Sequence, residues 1–183
     1  MRLVDRAHEL LGEALREGDL AIDATAGNGH DVAFLAEQVG NSGKVYAFDL
    51  QNEAIEATAR LLKEKGVENV ELHQCGHERM DEVLPSEIMR QVATVTFNLG
   101  YLPGGDKSVV TQTATTRLAL RTAMDLLRPG GLWVVVAYRG HPGGPEECAA
   151  VREELSSLAE DLLMEGDASV DATSPLLLAA RKA

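Results

Sequence analysis

Apolar positions along the chain alternate between two periods. Leu3, Ala7, Leu10, Leu11 and Ala14 share one face at helical spacing and predict a first helix ending near Gly18. Leu20-Ala21-Ile22-Asp23-Ala24 is a short apolar run of strand length, and residues 30–39 return to helical spacing. The same exchange repeats. Residues 44–50 predict a second strand, and Ile55, Thr58, Ala59 and Leu62 a helix stopped at Gly66. Residues 70–73 predict a third strand, 77–84 a short helix before Pro85, and 93–99 a fourth strand. Leu120, Ala123, Met124 and Leu127 mark a long helix closed by Pro129-Gly130-Gly131, and residues 133–138 are the clearest strand in the chain. Val151, Leu155, Leu158 and Leu162 predict a last long helix, followed by a closing pair of strands at 168–171 and 176–180. No repeat, low-complexity tract or linker interrupts the pattern, so one domain over residues 1–183 is expected.

Strands separated by helices imply right-handed βαβ units and an α/β fold. The expected core is a mostly parallel, Rossmann-like sheet of about seven strands flanked by helices. Ligands in such sheets bind beyond the carboxyl ends of the strands, near the point where strand order reverses. Asp23-Ala24-Thr25-Ala26-Gly27-Asn28-Gly29 stands at that end of the first strand. Gly27 and Gly29 allow a tight turn and close approach of backbone to ligand, and the N–H groups of the helix that follows can hold an anionic group. A nicotinamide fingerprint would want a third glycine where this chain has Val32, and the leading carboxylate Asp23 suits a pyrophosphate poorly. It suits the ammonium end of S-adenosylmethionine. Asp49 ends the second strand, 26 residues after Asp23, where a carboxylate can accept both ribose hydroxyls of an adenosine. A Gly turn that only links strand to helix accounts for the glycines but not for both acids.

The end of the fourth strand carries Asn98-Leu99-Gly100-Tyr101, with the layout of the Asn-Pro-Pro-Tyr tetrapeptide of amino-group methyltransferases. An amide or backbone carbonyl there can accept an amine N–H and aim the nitrogen lone pair at a methyl carbon. An aromatic ring can stack on a base and favour a sulfonium charge. Asn98 and Tyr101 are therefore the leading catalytic candidates, against the alternative that Asn98 only caps its own loop. His141 and Asp106, on Gly-containing loops, are candidate bases for an amine that must attack uncharged. Both can equally be loop-shaping residues. His77 and His30 lie at strand-end loops within reach of cofactor or substrate, whereas His73 reads as a sheet-surface residue. No His/Cys grouping has metal-ligand spacing, and no nucleophile–His–acid set stands out.

Charge narrows the partners. The formal net charge of −12 argues against broad, non-specific nucleic-acid binding. Residues 145–171 alone hold nine acids and one base. A local basic face elsewhere, built from Arg79, Lys107, Arg117, Arg121 or Arg139, is compatible with RNA, although each alone is by default a solvated surface residue. Two cysteines, Cys75 and Cys148, suggest reduced thiols rather than a disulfide framework. The apolar runs are too short for a membrane span, and the first residues lack a secretion-signal core, so a cytoplasmic location is expected.

Four blocks resemble a known family. They are Ile22-Asp23-Ala24-Thr25-Ala26-Gly27-Asn28-Gly29-His30-Asp31, Phe48-Asp49-Leu50-Gln51, the eleven residues from Phe97 through Asn98, Tyr101 and Asp106 to Lys107, and Tyr138-Arg139-Gly140-His141-Pro142-Gly143-Gly144. They are similar to those of small bacterial class I methyltransferases first labelled rRNA methylases, the MnmM or YtqB-like group, along nearly the whole chain. The resemblance implies S-adenosylmethionine as cofactor, held by Asp23, Thr25, Gly27, Asn28, Asp49 and Gln51, and Gly29 and Asp31 in the same block are further cofactor-binding candidates. It implies N-methylation of 5-aminomethyl-2-thiouridine at the tRNA wobble position. The chain departs from the family in two places. Gln74-Cys75-Gly76-His77 replaces the acid that often meets the adenine amino group, leaving that contact to the backbone or to His77, and Thr173-Ser174-Pro175 replaces an Asn- and Pro-rich motif. Alternatives are a methyltransferase for a small amine or another RNA position, and a non-catalytic cofactor- or RNA-binding module. A homodimer is one way for so acidic a chain to offer an RNA groove.

Overall fold

The alternating periods fold into seven strands and six helices, described over residues 2–166 and 173–183 of a computed structural model. The strands are β1 (Leu20–Asp23), β2 (Lys44–Phe48), β3 (Val70–His73), β4 (Val92–Leu99), β5 (Leu127–Ala137), β6 (Ala159–Glu165) and β7 (Leu176–Lys182). The helices are α1 (Leu3–Ala14), α2 (His30–Val39), α3 (Asn52–Lys65), α4 (Met80–Val83), α5 (Thr113–Leu126) and α6 (Gly144–Leu158). They form one sheet in the order β3-β2-β1-β4-β5-β7-β6. The first five strands in that order are parallel, and β7 runs antiparallel to both β5 and β6. None of the helices is long and apolar enough to cross a membrane among the described residues.

Both faces of the parallel strands are covered, which is why they read as continuous apolar runs rather than as alternating ones. Along β5, Trp133, Val135 and Ala137 enter one core with Phe48, Phe97, Leu120 and Val151. Leu132, Val134 and Val136 enter the other with Leu11, Leu35 and Leu62. Side chains two apart share a face, so α4, α5 and α6 cover one side and α1, α2 and α3 the other. Strand order reverses beside β1, between the β1–β2 and β1–β4 pairings. This is where the Gly turn emerges.

Two sequence expectations change. Pro129-Gly130-Gly131 does not separate α5 from a strand beginning at Trp133, because β5 already pairs at Leu127. Val92 faces Leu127 and Thr94 faces Leu132, so five residues of β5 pass two of β4 and the surplus loops out as a bulge. Gly130 supplies the positive φ of 75° that the bulge needs. Second, α6 ends at Leu158, and Leu162 lies instead on β6 opposite Ala180. The spacing of Leu158 and Leu162 suits a helix, but hydrogen bonding to the edge of β7 overrides it. The expected strand at 168–171 lies outside the described residues, and the terminal strand β7 pairs with β5 on one side and β6 on the other. The run of acids is also less solvated than its composition suggests. Glu147 is buried and accepts hydroxyl hydrogen bonds from Thr111 and Thr116, both 2.6 Å, while buried Glu154 pairs with Arg117 and Arg121.

A candidate cofactor and acceptor site at the strand ends

A cavity of about 610 Å³ opens at the carboxyl ends of β1, β2, β4 and β5, within the size range of small-molecule sites. Its floor is the Gly turn. Gly27 and Gly29 take positive φ values of 53° and 83°, and a Cβ on Gly29 would fall 2.9 Å from the Cα of Thr58 on α3. Glycine is thus required there for close packing. Three links hold the turn in shape. Gly27 N–H donates to Asp49 Oδ2 at 2.9 Å, Thr58 Oγ1 donates to the Gly27 carbonyl at 3.1 Å, and Asn28 Nδ2 donates to the Pro103 carbonyl at 3.3 Å. The last joins the turn to the loop after β4. The other oxygen of Asp49 accepts from Gln51 N–H at 2.9 Å, so this carboxylate fixes the starts of both the turn and α3. Each oxygen retains a lone pair for a ligand.

Asp23 stands behind the cavity wall, not in it. It is fully buried; Oδ1 accepts from Thr25 N–H at 3.0 Å, and Oδ2 has no hydrogen-bond partner among the described residues. Burial pushes its carboxyl well above the ordinary carboxylate range, the charges of Asp31 and Asp49 add to this, and the Thr25 N–H opposes it. Folded Asp23 therefore keeps a proton that the unfolded chain sheds near pH 4. Its contribution to stability is complete below that pH and is lost as pH rises through the folded value. Asp23→Asn is expected to raise the melting temperature relative to the native chain, by a margin that grows from pH 5.5 to pH 8.5. A constant margin in a pH series of thermal melts would contradict this.

The acceptor side is built on the end of β4. Asn98 N–H donates to Thr25 Oγ1 at 2.7 Å, and the Asn98 side-chain nitrogen donates to Asp31 Oδ2 at 2.6 Å. Asp31 Oδ1 in turn meets His8 Nε2 at 2.6 Å. Asp31, expected from sequence to face the cofactor, lines the cavity but has both oxygens engaged by protein groups. Tyr101 lines the cavity, partly exposed, with the Lys107 ammonium 5.6 Å from its ring centre. His141 also lines it and is buried. Its Nδ1 lies 3.1 Å from the Pro142 carbonyl. A carbonyl only accepts, so Nδ1 carries the hydrogen. Nε2 has no partner among the described residues and, in the neutral ring, is the acceptor.

Asp106 is not brought to the cavity. It is exposed, absent from the wall, and accepts from the backbone and hydroxyl of Ser108, which hold its carboxyl below its ordinary value. It shapes its own turn, as a short side chain followed by a serine does. His77 lines the cavity after β3, edge-on to Phe97 at 5.8 Å. Burial holds its ring below the ordinary histidine range, which favours the neutral form. Gln51, Asn28 and Thr25 line the cavity as expected, whereas Gly29 supports it from behind. The sequence reading missed His8, Glu78 and Tyr138. Glu78 lines the cavity beside Gly76, so an acid does face it after β3, three residues beyond Cys75. His73 lies stacked on Phe48 at 4.8 Å, a sheet residue as expected.

The donor set can be tested against a ligand. The carboxylates of Asp31 and Asp49, both on the cavity wall beside the Gly turn, suit a cationic adenosyl group and repel a pyrophosphate, while Asp23, which keeps its proton, supports the wall from behind. The comparisons agree with this geometry. A family model described as "Putative rRNA methylase" matches residues 45–167. A chloroplastic tRNA (mnm(5)s(2)U34)-methyltransferase of Arabidopsis thaliana is 44% identical over 161 residues, covering 83% of this chain and 58% of that protein. The chain thus spans less than two thirds of that relative's length. A "putative rRNA-methylase" of Clostridium thermocellum superposes with a TM-score of 0.91 at 37% identity, over 98% of this chain and 97% of the other. A "putative methyltransferase" of Streptococcus mutans, solved in complex with SAH, gives 0.85 at 31% identity, over 100% and 99%. A family model matching more than half the chain, together with near-complete structural likeness, shows that this protein belongs to the family described as "putative rRNA methylase".

Proposed function

We propose that this chain is an S-adenosylmethionine-dependent N-methyltransferase. Its proposed acceptor is the primary amine of 5-aminomethyl-2-thiouridine at the wobble position of tRNA. The observation that carries the reading is Asn98. Its amide is pinned across the cavity from the Gly turn, with the nitrogen committed to Asp31 and the oxygen left to accept an amine N–H. The name of the Arabidopsis relative supports the acceptor, and the SAH in the S. mutans structure supports the cofactor.

Bound in the cavity, S-adenosylmethionine supplies a methyl group made electrophilic by its sulfonium. In this reading Asp49 holds the ribose hydroxyls, and the Gly27 and Asn28 backbone approaches the amino-acid end. His77 and Glu78 border the adenine, and the acids around the turn favour positive charge. The aminomethyl group arrives as an ammonium, and His141 Nε2 accepts its extra proton. Asn98 Oδ1 accepts a remaining N–H and aims the freed lone pair at the methyl carbon. The cofactor would supply the methyl group and leave as the thioether, and the amine that Asn98 holds would become a secondary ammonium. Positioning supplies much of the acceleration in such an in-line displacement.

The RNA contact is narrower than the sequence suggests. Arg79 pairs with Glu82, Arg117 with Glu153 and Glu154, Arg121 with Glu154, and Arg139 is buried with Nε donating to the Ser174 carbonyl. These residues form no basic face. Lys107 beside Tyr101 remains near the acceptor side, and a second copy of the chain is proposed to complete the RNA groove. The acidity favours one other reading, a small free amine as acceptor. Incubation with labelled S-adenosylmethionine and tRNA bearing 5-aminomethyl-2-thiouridine, followed by nucleoside mass spectrometry, decides between them. One added methyl on that nucleoside is expected. Its absence, despite measured cofactor binding, would refute the tRNA assignment.

A further inference from the structure

We propose that His8, on α1, is a positioning residue for methyl transfer: His8 and Asn98 share the two oxygens of Asp31, and together they hold the Asn98 amide with its oxygen toward the acceptor amine. The proposal rests on the reading of Asn98 as the group that receives that amine.

A carboxylate only accepts hydrogen bonds, so the edge of the Asn98 amide facing Asp31 must be its NH₂. That bond, at 2.6 Å, settles which way the amide points, provided Asp31 itself does not turn. A carboxylate held at one oxygen rotates about its own bond; one held at both does not. The second hold is His8 Nε2, 2.6 Å from the other oxygen. The His8 ring is fixed in turn by lying flat on Phe34 of α2, with ring centres 4.0 Å and planes 5° apart. Burial would raise the Asp31 carboxyl, but the hydrogen bonds from His8 and Asn98, with the His8 and His30 charges, outweigh it and hold the group below its ordinary value. Asp31 thus stays ionised and able to orient the amide. The chain from α1 to the acceptor side runs ring, carboxylate, amide.

Two substitutions separate orientation from helix packing. His8→Phe keeps a ring on Phe34 and loses the bond to Asp31, whereas His8→Gln keeps a nitrogen donor and loses the ring. With the wobble-uridine tRNA as acceptor, His8→Phe is expected to lower kcat about tenfold while cofactor affinity and acceptor KM stay within about twofold. His8→Gln is expected to recover kcat to within about threefold of the native chain. The side-chain amide ¹⁵N–¹H pair of Asn98, identified by its disappearance in Asn98→Ala, reports the same event without turnover. It should shift and exchange faster in His8→Phe and stay near its native position in His8→Gln. Native turnover and native Asn98 resonances in His8→Phe would overturn the proposal, as would equal losses in both variants, which assign the ring to helix packing. If the native chain leaves this tRNA unmethylated, the acceptor assignment fails, and the Asn98 resonances still decide the role of His8.

Discussion

Replacing Asp49 with alanine is expected to weaken S-adenosylmethionine binding by about 100-fold, or ~3 kcal/mol. Two hydrogen bonds from ribose hydroxyls to a charged carboxylate contribute about 1.5–3 kcal/mol each, and water entering the emptied space recovers part of that. The loss also has an internal component. Asp49 accepts from Gly27 N–H and from Gln51 N–H, both at 2.9 Å, so its removal releases the turn that forms the cavity floor. Asp49→Asn should fall between the native chain and the alanine variant, because an amide oxygen can serve one of these partners while its nitrogen opposes the other. Titration calorimetry with S-adenosylmethionine and with its demethylated product measures both effects. Affinity in Asp49→Ala within about threefold of native would remove the ribose role, since even one lost charged hydrogen bond exceeds that change.

The second large effect is expected at Asn98. In the proposed reaction Asn98→Ala removes the acceptor for the reacting nitrogen and should lower the single-turnover rate by about 10²–10³-fold, the scale seen when one preorganised polar partner of a reacting centre is lost. Cofactor binding should change little. The backbone N–H of Asn98 holds Thr25 Oγ1, and alanine keeps that N–H. Asp31 would lose one partner and keep His8. A rate measured with saturating cofactor and tRNA isolates the step, and a rate equal to native would exclude Asn98 from the chemistry. A loss expressed only as weaker cofactor binding would move Asn98 to the cofactor's side of the cavity.

Much of this site was legible in the sequence because its parts are local. The Gly turn, Asp49 and Asn98 each end a strand whose apolar run is unambiguous, and in a parallel sheet such ends must converge. His8 was not legible. It lies on a helix that ends before the first strand, and only the docking of α1 against α2 brings it to Asp31, a contact no periodicity encodes. Asp106 was misplaced for the opposite reason. Its neighbour in sequence, Ser108, captures the side chain locally, and a Gly-rich loop offers nothing to hold it toward the cavity. The basic residues failed on pairing. Composition counts Arg117 and Arg121 as free charge, but helix packing sets them against Glu153 and Glu154. The β6 boundary was lost because Leu158 and Leu162 fit a helical face, and only hydrogen bonds to β7 decide otherwise.

The place of β7 between β5 and β6 bears on how the chain is made. A ribosome delivers β5, α6 and β6 before β7, yet β5 and β6 have no pairing with each other and meet only through the strand that follows them both. Until residues 176–182 emerge, the nascent chain holds an apolar β5 with one unpaired edge and a β6 with no sheet to join. Such edges are the surfaces on which incomplete chains associate. Lys182 completes the closure, its buried ammonium donating to the carbonyls of Met124 and Leu127 where α5 gives way to β5. Between the synthesis of β5 and that of β7, the open edge of β5 is a surface that chaperones must cover.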